Sequence, residues 1–163
     1  MSVFVTVGAQ MPFDRLVLAV DAWARARNRT DVFAQIGEDG VAPSFIDHTR
    51  FLSPPDFDAA YAKATLIIAH AGTGSIFAAL ERGKPIVIMP RRAAMRETRN
   101  DHQVATAKRF ATLGNIPIAW DEHELPAVLD RVSESAASFR IGKHASPELI
   151  QTLKQFITKG QST

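Results

Sequence analysis

Two glycine-bearing segments of this sequence follow apolar runs, where they could bind an anion. The stronger is Ala-His-Ala-Gly-Thr-Gly-Ser at residues 69–75, whose glycines would let a ligand approach the backbone closely. If a helix begins there, its free N–H groups and positive dipole end form an anion site, with Thr73 and Ser75 as hydroxyl donors. The segment is neither a Walker A loop nor a G-x-G-x-x-G motif. An ordinary strand–helix turn capped by Ser75 explains it equally well.

The second glycine-bearing segment and a third, arginine-rich loop carry the other residues of interest. Residues 8–11 join an apolar run to a helical pattern, and taken alone they favour a plain turn. Residues 91–103 hold four arginines and then Asn-Asp-His-Gln, and the forked donors of arginine suit phosphate or carboxylate. For any single arginine a solvated loop or a subunit contact is the competing interpretation. Asn100 or Asp101 could equally cap a helix that begins at His102.

The metal-binding patterns in the chain are weak. Asp56-Phe57-Asp58 matches the D-x-D of some metal-dependent sugar transferases, but acidic residues at a helix start also stabilise its dipole, which is the interpretation we favour. His70 and His102 could approach each other, yet two histidines do not make a zinc site. There is no cysteine, which excludes disulfides, thiolate zinc sites and cysteine nucleophiles. We therefore predict no metal and no cofactor.

The elements that position these loops follow from hydrophobic periodicity. Apolar runs predict strands at 3–7, 31–36, 65–69, 85–89 and 116–120, with one or two short strands in 41–51. Helical patterns begin at Pro12, after Ser53, at 75–82, at 102–113, after a capping box of Asp121 and Glu124, and at Ser146-Pro147, where an apolar stripe runs from Leu149 to Ile157.

This alternation predicts a doubly wound, mostly parallel, Rossmann-like α/β sheet. Residues 1–163 form a single domain in this interpretation, with a frayed tail from about residue 160. Ligands of such sheets bind at the carboxyl ends of the strands, which is where all three loops would lie.

The composition bounds the class of protein. The chain has 163 residues, a net charge of +2 and 46% hydrophobic residues, which excludes a disordered chain and a cationic nucleic-acid arm. We expect no nucleic-acid partner. The sequence shows neither a targeting peptide nor a membrane span, so we expect a soluble, cytoplasmic chain.

Four segments together resemble a known family: residues 5–14, 69–76, 83–90 and 100–103. They resemble the donor-binding half of GT-B glycosyltransferases of family 28. More narrowly, the chain resembles the small subunit of split bacterial exopolysaccharide transferases of the glucuronosyltransferase type. It is also similar to the catalytic subunit of the eukaryotic UDP-N-acetylglucosamine transferase that extends the dolichol-linked chitobiose core.

The resemblance implies a cleft for a UDP-sugar, with roles for residues of all three loops. His102 is the one catalytic candidate, and no general base is identified. Relatives of the peptidoglycan type grip the ribose with a Glu where this chain has Ala78, so Glu81 or the main chain would take that role. The implied contacts are Gly8, Gln10, Gly72, Thr73, Gly74 and Ser75 for the diphosphate; Asn100, His102 and Gln103 for the sugar; Phe51 and Leu52 for uracil; and His70, Arg91 and Arg92 as accessory anion-binding residues.

The implied enzyme has two components, because a GT-B cleft lies between two such domains and this chain supplies one. A membrane-anchored partner would present a lipid-linked saccharide, and the chain would lie at the inner face of the membrane through that partner. The stripe at 149–157 would pack on the chain's own sheet or on the partner, with self-packing favoured. The arginines favour a carboxylated donor such as UDP-glucuronate. The alternatives are a non-catalytic regulatory nucleotide-binding module and a free-standing homodimeric enzyme such as an epimerase.

Overall fold

A computed structural model describes residues 2–113 and 116–134, together with residue 155. Five strands form one sheet in the order β3-β2-β1-β4-β5, and every pairing is parallel. The strands are β1 (Val3–Thr6), β2 (Val32–Gln35), β3 (Asp47–Thr49), β4 (Leu66–His70) and β5 (Ile86–Met89). The helices are α1 (Asp14–Ala26), α2 (Pro54–Lys63), α3 (Thr73–Glu81), α4 (His102–Leu113) and α5 (Leu125–Glu134), with a 3₁₀ turn at Ala93–Met95.

Helices cover both faces of the sheet, which explains why the central strands are apolar throughout. Val3 and Val5 pack with α1 and α5 on one face, while Phe4 packs with α2, α3 and α4 on the other. All four residues of β1 are buried, as expected when the side chains on both faces of a parallel strand are covered. The predicted doubly wound, parallel fold is confirmed.

Several predicted boundaries are wrong by a few residues, and one strand is absent. Residues 116–120 form no strand but a single parallel bridge between Ile118 and Ile88. Pro117 has no N–H to donate to a ladder, and the bonds to β5 are those of the Pro117 carbonyl, which accepts from the Ile88 amide, and of the Ala119 amide, which donates to the Ile88 carbonyl. Helix α1 begins at Asp14 rather than Pro12, and α3 begins at Thr73, two residues before the predicted start.

The helix caps mostly follow the sequence. Ser53 caps α2 by accepting a hydrogen bond from the amide of Asp56. Asp121 accepts hydrogen bonds from the amides before α5, and the Glu124 carboxylate accepts from the amide of Trp120. The predicted helix from Ser146 with its stripe at 149–157 and the tail lie outside the described residues. Within the described ranges, no helix has the length and hydropathy needed to cross a membrane.

Candidate active site

A cavity of about 490 Å³ opens at the carboxyl ends of β1, β4 and β5, where the three loops meet. Such a volume suits a small-molecule ligand. The predicted residues that line it are Gly8, Gln10, His70, Gly72, Thr73, Gly74, Ser75, Arg91, His102 and Gln103. Others that line it were not predicted: Ala9, Met11, Phe57, Glu97, Thr98 and Thr106.

The start of α3 lines this cavity with three amides that have no hydrogen-bond partner among the described residues. The first hydrogen bond of the helix joins the Ile76 amide to the Gly72 carbonyl, so the three preceding amides, at 73–75, have no backbone partner in that part of the chain. Gly72 is the N-cap residue and supplies no side-chain cap, in contrast to Ser53 in α2. The interpretation of a turn capped by Ser75 is therefore wrong, because Ser75 lies inside the first turn. Uncapped amides at the positive end of a helix dipole form an anion site.

His70 ends β4 with its imidazole packed between the two glycine-bearing loops. A Cβ added at Gly72 would lie 2.1 Å from its Nε2, and one added at Gly8 would lie 2.6 Å from its Cε1. Gly8 also has a φ of +80°, a backbone conformation that residues with a side chain rarely adopt. A side chain at either position would force the His70 ring to move, so both glycines are explained within the protein itself, whatever ligand is bound.

The environment of His70 keeps it neutral. Burial, which has the largest effect, together with the positive charge of Arg91 and the nearby His102 lowers its pKa from 6.5 to about 4. The predicted accessory anion-binding role of His70 therefore cannot rest on a positive charge at neutral pH, since the ring there is a neutral donor or acceptor.

The first loop is tied to the sheet beside Gly8. The Gly8 amide donates to the Thr6 hydroxyl at 3.2 Å, and the Gln35 side-chain amide donates to the Gly8 carbonyl at 3.2 Å. Thr6 in turn donates to Gln35 at 2.8 Å, and both side chains are buried. Gln10 is exposed and lines the cavity beyond this network.

The third loop is held by the carboxylate of Glu97. It accepts two hydrogen bonds from Arg15 of α1, at 2.7 and 2.8 Å, and one from the Arg92 amide at 2.9 Å. Arg15 also pairs with Glu122 at 2.9 Å. The Gln103 side-chain oxygen accepts from the Arg91 amide at 3.2 Å, so its side-chain nitrogen is the group left for a ligand.

Some predicted site residues lie away from the cavity lining. Asn100 accepts a hydrogen bond from the His102 amide at 3.3 Å and contacts its ring, which fits the competing interpretation of a cap. Arg92 donates to the Trp120 carbonyl at 2.8 Å. Phe51 is 66% exposed and Leu52 packs against the core, and neither lines the cavity.

The D-x-D segment is split between two environments. Asp56 accepts from Ser53 at the start of α2, and Asp58 pairs with Arg82 at 2.8 Å, whereas Phe57 between them lines the cavity. Within residues 2–113 and 116–134, no three His, Cys, Asp or Glu side chains are grouped so that they could hold a metal ion.

The whole architecture matches a known family. The model of the glycosyltransferase family 28 C-terminal domain matches residues 2–156. The chain belongs to this family. The predicted family resemblance is thereby confirmed, and with it the view that this is a Rossmann-like domain of the type that makes up GT-B glycosyltransferases.

Curated relatives of this family 28 chain include the human UDP-N-acetylglucosamine transferase subunit ALG13, which is 34% identical over 126 residues, 70% of this chain. The subunit of the same name from Eremothecium gossypii is 39% identical over 69 residues, 42% of this chain. The matches span only 10% and 32% of those two proteins. The predicted similarity to the eukaryotic transferase subunit is confirmed.

Two solved structures share the fold of the family 28 chain. The solution structure of ALG13 has a TM-score of 0.65 at 21% identity, and the match covers 96% of each chain. MurG of Acinetobacter baumannii has a TM-score of 0.61 at 24% identity, with 96% of this chain and 49% of MurG covered. This chain thus corresponds in extent to one half of MurG.

Proposed function

We propose that this chain is the donor-binding catalytic subunit of a two-component UDP-sugar glycosyltransferase. It transfers a hexosyl or hexuronosyl unit to a polyprenyl-diphosphate-linked saccharide in exopolysaccharide synthesis, and glucuronosyl is the unit we favour. The observation that carries the proposal is the uncapped start of α3, where the amides at 73–75, unpaired within the part of the chain that the structure describes, line a cavity of about 490 Å³.

The diphosphate of the donor lies on these amides in our proposal. Thr73 and Ser75 add hydroxyl donors, while Gly8 and Gln10 bound the diphosphate from the opposite loop. The side-chain nitrogen of Gln103 is free to donate to the sugar. Phe51 and Leu52 do not line the cavity, so a role for them in uracil binding requires the base to extend beyond it.

The reaction breaks the bond between the anomeric carbon and the diphosphate oxygen, while the acceptor hydroxyl forms the new bond and loses its proton. Negative charge accumulates on the departing UDP, and the positive end of α3 is placed to stabilise it. We propose that this replaces a metal ion. Treatment with a chelator should then leave turnover unchanged, and restoration of activity by Mg²⁺ would contradict this point.

The acceptor and the general base come from a partner in this proposal. Glu97 is the one carboxylate among the described residues that line the cavity, and Arg15 occupies both of its oxygens. His102 is exposed at the cavity with its Nδ1 against Asn100, which leaves Nε2 towards substrate. The curated relatives are themselves called subunits, which supports a second component. We place that partner at the inner face of the cell membrane.

A carboxylated donor is supported by the third loop. The side chains of Arg96 and Arg99 are exposed there, outside the cavity lining, and neither side chain has a hydrogen-bond or ion-pair partner within the described part of the chain. The carboxylate of a hexuronic acid would pair with such a group where the sugar extends beyond the cavity.

Titration calorimetry tests donor binding. We expect UDP and UDP-glucuronate to bind, UMP to bind at least about tenfold more weakly because it lacks the second phosphate, and UDP-glucose to bind more weakly than UDP-glucuronate. No heat with any UDP-sugar, with and without the partner, would refute the proposal. The partner should be encoded by a neighbouring gene for a protein with one N-terminal membrane segment.

Turnover by this chain reconstituted with its partner distinguishes the proposed function from the competing one, a non-catalytic regulatory module. Substitution of His102→Ala and Gln103→Ala should abolish most of the activity if this chain binds the donor. Full turnover with both substitutions would favour the regulatory function instead.

A further inference from the structure

Arg91 lines the cavity, but its guanidinium is hydrogen-bonded to main-chain carbonyls of the protein itself. It follows β5 and is only 4% exposed. Its guanidinium donates to the carbonyls of Val7 at 2.7 Å, Met11 at 2.6 Å and Pro12 at 2.5 Å. A fourth bond, at 3.2 Å, reaches the carbonyl of Glu97 in its own loop. Four carbonyls of two loops thus converge on one side chain.

The first loop depends on these bonds. Gly8 is held by Thr6 and Gln35, but between Gly8 and Phe13 no other hydrogen bond within the described residues holds the backbone. Residues 9–11 are exposed, so burial does not fix them either. Among the described residues, Arg91 is the only hydrogen-bond donor to the carbonyls at 11 and 12.

Arg91 is itself fixed from two sides. Its guanidinium lies 4.7 Å from the centre of the Phe13 ring, and its amide donates to the side chain of Gln103 in α4. The side chain therefore connects the first loop, the third loop and the start of α4, which are the parts of the cavity wall opposite α3. A lysine has one ammonium in place of the planar fork and could not reach all four carbonyls with similar geometry.

We propose that Arg91 is a positioning residue: it holds the first loop and the start of α4 in the arrangement that receives the donor, and it does not bind the diphosphate itself. This inference rests on the proposed function, because it assigns the wall of the same cavity. It replaces the direct anion-binding role that the sequence suggested for Arg91. Without Arg91 the loop samples other conformations, and the apparent affinity falls with the fraction of molecules that remain competent.

Nuclear magnetic resonance of the unaltered protein separates the two roles. On addition of UDP, we expect the amides of residues 73–75 to shift, while the Arg91 guanidinium protons keep their frequencies and their slow exchange. Coupling of those protons to ³¹P of UDP would overturn the proposal. Should no amide of the cavity respond to UDP, the proposed function fails, yet the ordering of the free loop by Arg91 can still be measured.

Variants test the ordering directly. In Arg91→Met we expect faster hydrogen exchange at residues 9–11 and UDP binding at least about tenfold weaker, with Arg91→Lys between it and the parent. Arg109→Met is the matched control, because it removes the same charge from an exposed position of α4 outside the cavity, and it should bind UDP normally. In Arg91→Ala, guanidinium chloride far below denaturing concentrations should restore binding, whereas NaCl should not.

The outcomes are decisive in each case. A folded Arg91→Met protein with unchanged UDP affinity, or with unchanged exchange in the first loop, would overturn the proposal. If Arg91→Met and Arg91→Ala do not fold, the guanidinium spectrum of the unaltered protein with UDP decides alone, and Arg91→Lys supplies the exchange measurement.

Discussion

Gly74 offers a substitution that should affect ligand binding and stability in opposite directions. It is the second residue of α3 and it lines the cavity. Apart from its chain neighbours and the backbone of its own helix, no heavy atom of the described residues lies within 4 Å of the position that a Cβ would take. Its backbone is helical, so alanine fits without strain. Removal of a helical glycine stabilises a protein by up to about 1 kcal/mol. For a domain of this size we expect Gly74→Ala to raise Tm by a few degrees at most, about 2–4 °C.

The same methyl group should weaken UDP binding. It would stand above the unpaired amides at 73–75, where the phosphate oxygens must approach. Each hydrogen bond to a charged group contributes about 1.5–3 kcal/mol, so the loss of one corresponds to roughly 10- to 150-fold in affinity. Gly74→Val should weaken binding further because its side chain is larger.

Calorimetry measures both effects on the same preparation, by thermal unfolding and by titration with UDP. Pro55→Ala is the matched control, since Pro55 holds the same place in α2 as Gly74 in α3, is exposed and lies outside the cavity. It should leave UDP affinity unchanged. If Gly74→Ala and Gly74→Val fold and bind UDP like the parent, the diphosphate does not lie on the start of α3 and the proposed function loses its main support.

Three further substitutions or conditions test the framework of the cavity. Gly72→Ala places a Cβ 2.1 Å from His70, so urea denaturation should show a loss of about 1–3 kcal/mol in the free energy of unfolding. A second substitution, His70→Ala, should recover part of that loss. If the effects of the two substitutions simply add, the contact between them is contradicted. Because the pKa of His70 is lowered in the folded protein, the imidazole is protonated at a higher pH in the unfolded chain than in the folded one. The free energy of unfolding should therefore fall as the pH drops from 6.5 towards 4. If His70→Ala leaves the slope of unfolding free energy against pH unchanged, this explanation is refuted. Glu97→Gln leaves Arg15 with the Glu122 carboxylate and the Pro90 carbonyl as its hydrogen-bond partners among the described residues. Because the Arg15 side chain is only 10% exposed, we expect a cost of about 3 kcal/mol by denaturation, and equal stability would show that the ion pair with Glu97 is dispensable.

The fold was accessible to sequence reasoning because its signals are local. Short β-branched runs alternating with helical periodicity predict β1, β4 and β5 within a residue or two, and α4 with its observed bounds. The carboxyl-end rule for parallel sheets then places the three loops together, and the cavity lies there. The prediction of a strand at 116–120 is wrong because β-propensity does not distinguish an edge strand from an extended segment, and Pro117 limits this segment to one bridge.

The details of the site depend on contacts that sequence spacing does not encode. Glu97 and Arg15 are 82 residues apart, and Arg91 meets Val7 across 84 residues. Nothing local distinguishes an arginine that binds a ligand from one that binds main-chain carbonyls, because both uses exploit the same forked donors. Phe57 lines the cavity because its helix packs beside α3. The D-x-D pattern draws attention to the two acids on either side of it, and neither acid lines the cavity.

The glycines of the cavity separate what the fold requires from what a ligand requires. Gly8 and Gly72 are explained internally, because His70 leaves no room for a side chain at either position. Gly74 has no such explanation: its surroundings are open, and a glycine there lowers helix stability. A residue that destabilises its helix without any internal steric reason, at the point where three amides are unpaired, is accounted for by a group that approaches the backbone from the cavity. The diphosphate of a sugar nucleotide is such a group. Substitution of Gly74, rather than of Gly8 or Gly72, therefore gives the cleanest test of the proposed function.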